Sequence, residues 1–472
     1  MRLKISRGTV VTPRGGFIAD VVCEDDRIAA IEESGCRTRV DEEIDAKGRL
    51  VFPGIIDPHV HSRDPGFTEK EDFAHATRAP AAGGVTTIFE MPNVLPPCTS
   101  AEILTERAKQ HEQYAFVDFC LWGMCLGREN IGELTDMLAT GAIGIKLFWS
   151  YGIRRETFEL VYGLEHEHGA VLPPPTPGEV ADICSAVARV GGLVAAHCEE
   201  RSLLESSARA LGRRIDTYDD LLESRPDVAE ATAVAIAAEI SRSTSCRFHV
   251  LHLATARAAA VVAHAQRDGI RISAETCPHY LLLTKEDYAR LGARMKLFPP
   301  VRDQADRHGL WTAISTGVIS SLSSDHAPHT IAEKSGPLND QPGGGIGVET
   351  LVPLMLNEMA EGRFTAEQLS WLLSESTARL YGLYPRKGVI QPGSDADITI
   401  VDPHREWTID EKRLHSKNRV SIWHGTRCIG APVTTIVRGQ VVMQDRELIG
   451  SPTGVFIPRA TAEPKARSAP TP

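Results

Sequence analysis

The sequence has no apolar run approaching the length of a membrane span, no CxxC pair and no surplus of basic residues. The first absence leaves no candidate membrane helix, since a span needs about 20 consecutive apolar residues. MRLKISRGTVV at the start carries no apolar signal region, so a cytoplasmic location is expected. A formal charge of −11 argues against nucleic acid or an anionic membrane as partner, because both want a basic field. A small-molecule substrate fits better. The ten cysteines follow no framework spacing, which excludes a zinc ribbon and predicts reduced thiols. Internal repeats are missing, and the one biased stretch, after Ile457, predicts a disordered tail over 458–472.

What is present is ample for a packed core: 472 residues, 42% of them hydrophobic, enough for one large domain and a smaller one. Residues 1–50 alternate short β-like runs with turns. From Val51 onward short apolar runs alternate with amphipathic segments of helical length, the pattern of βα units. Eight strands are predicted, at 51–60, 85–91, 116–124, 143–148, 193–197, 247–253, 271–276 and 318–325. The expected fold class is therefore α/β, a (β/α)₈ TIM-like barrel over 51–387. GVIQPGSDADITIVD and TTIVRGQVVMQDREL return to β patterning, so 1–50 and 388–457 are expected to pair as a small composite β-sandwich. Trp149 to Pro177 is an unusually long connection, which suggests a lid or an interaction surface.

In such a barrel, chemistry sits at the C-terminal ends of the strands. The predicted strands end on His59 and His61, Lys146, His197, His252 and Asp325. One histidine on an apolar run is usually a satisfied core residue. Four of them with a lysine and an aspartate at one end of five strands are not explained that way. His59 and His61, two apart on a strand, face the same side. Imidazole and carboxylate without cysteine suit Zn²⁺ or a similar divalent ion. Six positions are too many for one tetrahedral ion, and two ions sharing a hydroxide account for them better. An ammonium would be repelled there, but the neutral amine of Lys146 can add CO₂ to become an anionic carbamate.

DPHVHSRDPG, TRAPAAGGVTTIFEMPN, GIKLF, AAHCEE, VLHLATA, AETCPHYLLLT, SSDHAPHT and GSDADITIVD together resemble the cyclic amidohydrolases: dihydroorotases, hydantoinases and allantoinases of the amidohydrolase superfamily. The resemblance covers nearly the whole chain. It implies His59, His61 and Asp325 on one ion, His197 and His252 on a second, and N6-carboxylysine at Lys146 bridging them. It also implies reversible opening of a cyclic amide ring, with Asp325 as general base and acid, and a homodimer or homotetramer. Members that have lost ligands serve as structural partners, but all six positions are filled here.

For the substrate the residues point two ways. Arg63, Asn93 and His329 match positions that hold the substrate carboxylate in dihydroorotases, the first choice on this reading. Tyr151 matches the tyrosine that hydantoinases place near the oxyanion. Phe298 stands where many dihydroorotases carry an asparagine, which favours an uncharged ring of the hydantoin, dihydropyrimidine or allantoin type.

Overall fold

The computed structural model describes residues 1–161 and 170–460. Its centre is a closed ring of eight parallel strands. They are Ile55–Val60, Val85–Glu90, Asp118–Leu121, Ile145–Phe148, Leu193–His197, Arg247–Val250, Ile272–Thr276 and Ser321–Leu322. Registered parallel pairs link the first three, and others link the fourth to the eighth. The third strand breaks at Trp122, and its continuation Gly123–Met124 pairs with the fourth. Val60 and His326 close the ring, with His61 N donating to His326 O at 2.8 Å. Helices cover the outside, among them Ala101–Glu112, Pro177–Arg189, Asp227–Thr244 and Ala256–Arg267. Three of these four starts are marked by the side-chain caps Ser100, Thr176 and Thr255, each accepting a backbone N–H.

The expected first strand is two strands in different sheets. Leu50–Pro53 runs antiparallel to Ile398–Thr408 and beside the N-terminal strand Arg2–Thr12, and only Ile55–Val60 joins the barrel. The change of sheet falls at Gly54, where a Cβ would lie 2.4 Å from Asp397 Cβ and 2.5 Å from Thr86 Oγ1. No side chain fits there. Residues 51–53 and 55–60 are all buried, so hydrophobicity alone shows no boundary.

The two ends of the chain form one nine-stranded sheet that includes Arg2–Thr12, Gly15–Glu24, Leu50–Pro53, Ile398–Thr408 and Arg427–Val437. It curls on itself: Arg27 bridges to Asp395, and the turn at Gly439 lies against the Asp25 carbonyl. Ile5, Val21, Ile28, Ile398 and Ile436 belong to its small core. Past the sheet, 454–459 follows the barrel. Ile457 N donates to Phe119 O, and Arg459 N to Gly141 O. The start of the expected tail is thus bonded to the barrel, and 461–472 lies outside the described residues.

The long connection after the fourth strand carries a small antiparallel sheet of Gly152–Arg154, Leu160–Val161 and Val171–Leu172. None of the ten cysteines forms a disulfide. No helix among the described residues is long and apolar enough to cross a membrane.

Candidate metal centre

Because the eight strands are parallel, their C-terminal ends share one mouth. His59 is inside the first strand and His61 follows it, Lys146 is in the fourth, and His197 is the last residue of the fifth. His252 and Asp325 lie two and three residues past the sixth and eighth. All six line a cavity of about 50 Å³ together with Arg63, Asn93, Tyr151 and Phe298. An outer vestibule of about 470 Å³ shares Arg63, Asn93 and Leu160 with it and includes His329. Three of these non-glycine residues have left-handed backbones: Arg63 (φ 63°), His252 (φ 38°) and Asp325 (φ 47°). Such conformations cost about 1–3 kcal/mol each and persist where the surroundings impose them.

The donor atoms converge in two groups. Asp325 Oδ1 lies 3.3 Å from His59 Nε2 and 3.8 Å from His61 Nε2. His197 Nδ1 lies 3.0 Å from His252 Nε2. Ligands about 2.1 Å from a tetrahedral ion stand about 3.4 Å apart, so both groups have ligand spacing. The imidazoles of His59 and His252 join the groups, their centroids 5.3 Å apart. Lys146 Nζ lies in the same cavity, 4.6 Å from the centre of the Phe148 ring.

The outward ring nitrogens provide a second test of fit. His59 Nδ1 lies 2.8 Å from Glu275 Oε1, His61 Nδ1 2.8 Å from Asn93 Oδ1, and His197 Nε2 2.7 Å from Glu199 Oε2. Each acceptor takes the N–H of one nitrogen and leaves the other as a lone pair facing the cavity. That is how metal-binding histidines are fixed in tautomer and orientation. Glu199 is in turn ion-paired with Arg225, whose Nη2 also donates to the Tyr151 hydroxyl at 3.1 Å. The residues present therefore fit a pair of divalent cations.

The electrostatics agree with a site built to gain positive charge. Burial holds His61 and His252 well below the usual histidine range, aided by neighbouring cationic groups, and His197 is lowered to about 4. They stay neutral, as ligands must. Burial lowers the Lys146 amine to about 8 against the pull of Asp325 and Glu275, and it raises the Asp325 carboxyl.

Of the residues expected to touch substrate, Arg63, Asn93 and Tyr151 are at the inner cavity, and His329 is only at the vestibule. Asn93 spends its carbonyl oxygen on His61. Arg63 Nε donates to Pro328 O at 3.2 Å, and its Nη2 is 3.4 Å from His329 Nε2. Tyr151 Oη is 2.9 Å from His197 Nε2. Sequence reasoning missed Glu199, Arg225 and Glu275. Glu199 stood in AAHCEE, where a carboxylate two residues past a strand-end histidine is the usable signal, and Glu275 stood in AETCPHYLLLT, on a strand that carries no ligand candidate.

The amidohydrolase family profile matches residues 50–442. This chain belongs to the amidohydrolase family. It is 37% identical to an allantoinase of Rubrobacter xylanophilus over 96% of this chain and 97% of that one. With a dihydroorotase of Bacillus cytotoxicus it shares 31% identity over 94% and 99% of the two chains. Among solved structures, an L-hydantoinase from Arthrobacter aurescens superposes with a TM-score of 0.90 at 30% identity, covering 97% of this chain and 99% of that one. This amidohydrolase is thus similar over nearly its whole length to hydrolases of cyclic amides. Its architecture, a parallel barrel with a sheet from the chain ends, is the one it shares with that L-hydantoinase.

Proposed function

We propose that this amidohydrolase opens a cyclic ureide to a ureido acid, using two divalent ions, zinc by ligand type. The carrying observation is the convergence of four imidazoles, Lys146 and Asp325 on one small cavity, with three of the imidazoles already fixed from behind. His59, His61 and Asp325 would hold one ion, His197 and His252 the other, and Lys146, as its carbamate, both. Ions held there supply a water-derived nucleophile at neutral pH and polarise the carbonyl under attack.

The remaining work falls to the chain's own groups. The Asp325 carboxylate takes the proton of the attacking water and returns it to the departing ring nitrogen. Tyr151, its hydroxyl held beside His197 by Arg225, donates to the oxyanion that develops on the ring carbonyl. Asn93, at the boundary with the vestibule, orients the ring, and Arg63 beside it serves a substrate carboxylate in the second reading below. Burial of the cavity excludes bulk water and strengthens each of these contacts. A dimer or tetramer belongs to the same reading and is checked by light scattering.

An uncharged ureide of the hydantoin or allantoin type is the first reading. It is supported by the apolar Phe298 wall, by the use of Asn93 on His61 and by the allantoinase and hydantoinase relatives. Dihydroorotate is the second, favoured by the guanidinium of Arg63 beside the cavity. The test is ring opening of hydantoin, allantoin and L-dihydroorotate by protein purified with zinc and bicarbonate. The first reading expects turnover of an uncharged ureide that persists in Arg63→Ala. Turnover confined to dihydroorotate and lost in that variant would replace it with the second, and no opening of any ring would overturn both.

A further inference from the structure

Beside the metal pocket lies a cavity of about 700 Å³ that the reaction described above does not use. Among the described residues one side chain lines both spaces, and it is Phe298. The ring is held in place from several directions. The Arg225 guanidinium is 4.1 Å from its centre, and Arg225 is itself fixed by its ion pair with Glu199 and its bond to Tyr151. Gly343 makes room for it, since a Cβ there would stand 2.5 Å from Phe298 Cδ2. Lys296 Nζ is 5.8 Å from its centre and is anchored by the Leu338 and Asn339 carbonyls. The larger cavity is apolar along Leu204, Ala208 and Leu221.

These sizes matter. A small-molecule site usually measures about 300–1,000 Å³, so the larger cavity has room for a substituent and the inner one, at about 50 Å³, does not. We propose that Phe298 is a specificity-determining wall that shuts the larger cavity off from the metal pocket and excludes rings whose substituent points toward Arg225. The excluded class is aryl-substituted rings. Removing the phenyl ring of Phe298 would leave a space of phenyl shape, with the flat guanidinium face of Arg225 ready to stack on an incoming ring.

The inference rests on the ring-amide reading only for its choice of probes, hydantoin and 5-phenylhydantoin. Binding of each to the metal-loaded enzyme is measured by calorimetry, with turnover followed in parallel. In Phe298→Ala the affinity for 5-phenylhydantoin relative to hydantoin should rise at least about tenfold, the scale on which apolar pockets discriminate. Phe298→Leu, which keeps an apolar group against Arg225, should give a smaller rise in the same direction. Adding Ala208→Trp to Phe298→Ala should reverse the gain by filling the cavity, whereas Ala208→Trp alone should change neither probe. An unchanged ratio in both Phe298 variants would overturn the wall, as would weaker aryl binding in Ala208→Trp alone, which would mean the cavity is already in use. Failure of the wild type to open any ring would sink the ring-amide reading, while the binding ratio would still decide the wall.

Discussion

Glu275 holds two imidazoles at once: His59 Nδ1 at 2.8 Å through Oε1 and His249 Nε2 at 3.2 Å through Oε2. Those bonds draw its carboxyl well below the usual range although it is fully buried. Replacing it by glutamine keeps the volume but removes the charge that fixes the His59 tautomer. Glu275→Gln should bind metal about 10–100-fold more weakly, read by competition with a chromophoric chelator, with near-ultraviolet circular dichroism unchanged. Unchanged affinity would mean that His59 is not a ligand oriented by this carboxylate. At the same scale lies a pH effect at a carboxylate outside the ligand set. Glu230 is buried and accepts from Ala254 N and Thr255 Oγ1, and desolvation lifts its carboxyl from 4.5 to about 7. Between those values the folded chain keeps a proton that the unfolded chain has lost. The associated stability is complete below 4.5 and is lost as pH rises through about 7. Across that window the wild type should lose roughly 3 kcal/mol relative to Glu230→Gln, measured by urea unfolding of both proteins. Parallel pH profiles would refute it. The ligand candidates were legible because each is a polar residue breaking an apolar run at a strand end. Glu275 and Arg225 were not, because their partners His59 and Glu199 lie far away in sequence and leave no local pattern, whereas Glu199 stands two residues past His197.

Among the elements, the barrel strands and helices follow from alternation of apolar runs with amphipathic segments. Leu193–His197 has the expected bounds. The eighth strand is much shorter than 318–325, only Ser321–Leu322, because the chain leaves the sheet to place Asp325 in its left-handed conformation. Gly54 shows where pattern reading stops, since a strand buried on both faces looks the same in either sheet. The join between sheet and barrel was equally hidden. Lys387 is buried among Asp118, at the start of the third barrel strand, and Asp395 and Asp397, which precede the long strand Ile398–Thr408. Arg438 adds a second bond to Asp118 at 3.1 Å. Removing one partner from such a cluster leaves uncompensated buried charge, typically at a cost of about 3–5 kcal/mol. Lys387→Met should lower stability by that amount, and the double change Lys387→Met with Asp118→Asn should recover part of it. Additive losses in this pair would show that the charges do not interact across the join.

For the molecule as a whole, these connections make the terminal sheet and the barrel one folding unit. Leu50–Pro53 belongs to the sheet while the next strand begins the barrel, Thr399 Oγ1 and Thr435 Oγ1 bond to the carbonyls of Gly84 and Ala81, and 454–459 returns along the third strand. The proposed ligands come from five barrel strands or the loops just past them, so ions bound there would stabilise the folded ring and not the unfolded chain. Linkage then gives about 4 kcal/mol of added stability when free metal exceeds its dissociation constant 1,000-fold. Chelation should therefore lower the unfolding temperature of the entire chain in a single step. Trp122 reports the barrel interior and Trp407 the terminal sheet, and single-tryptophan versions of the protein carrying one or the other should melt together before and after chelation. If the Trp407 signal stays put while the Trp122 signal falls, the sheet is stable without the barrel. The hand-over at Gly54 and the Lys387 cluster would then be contacts between two independent units, not the joints of one.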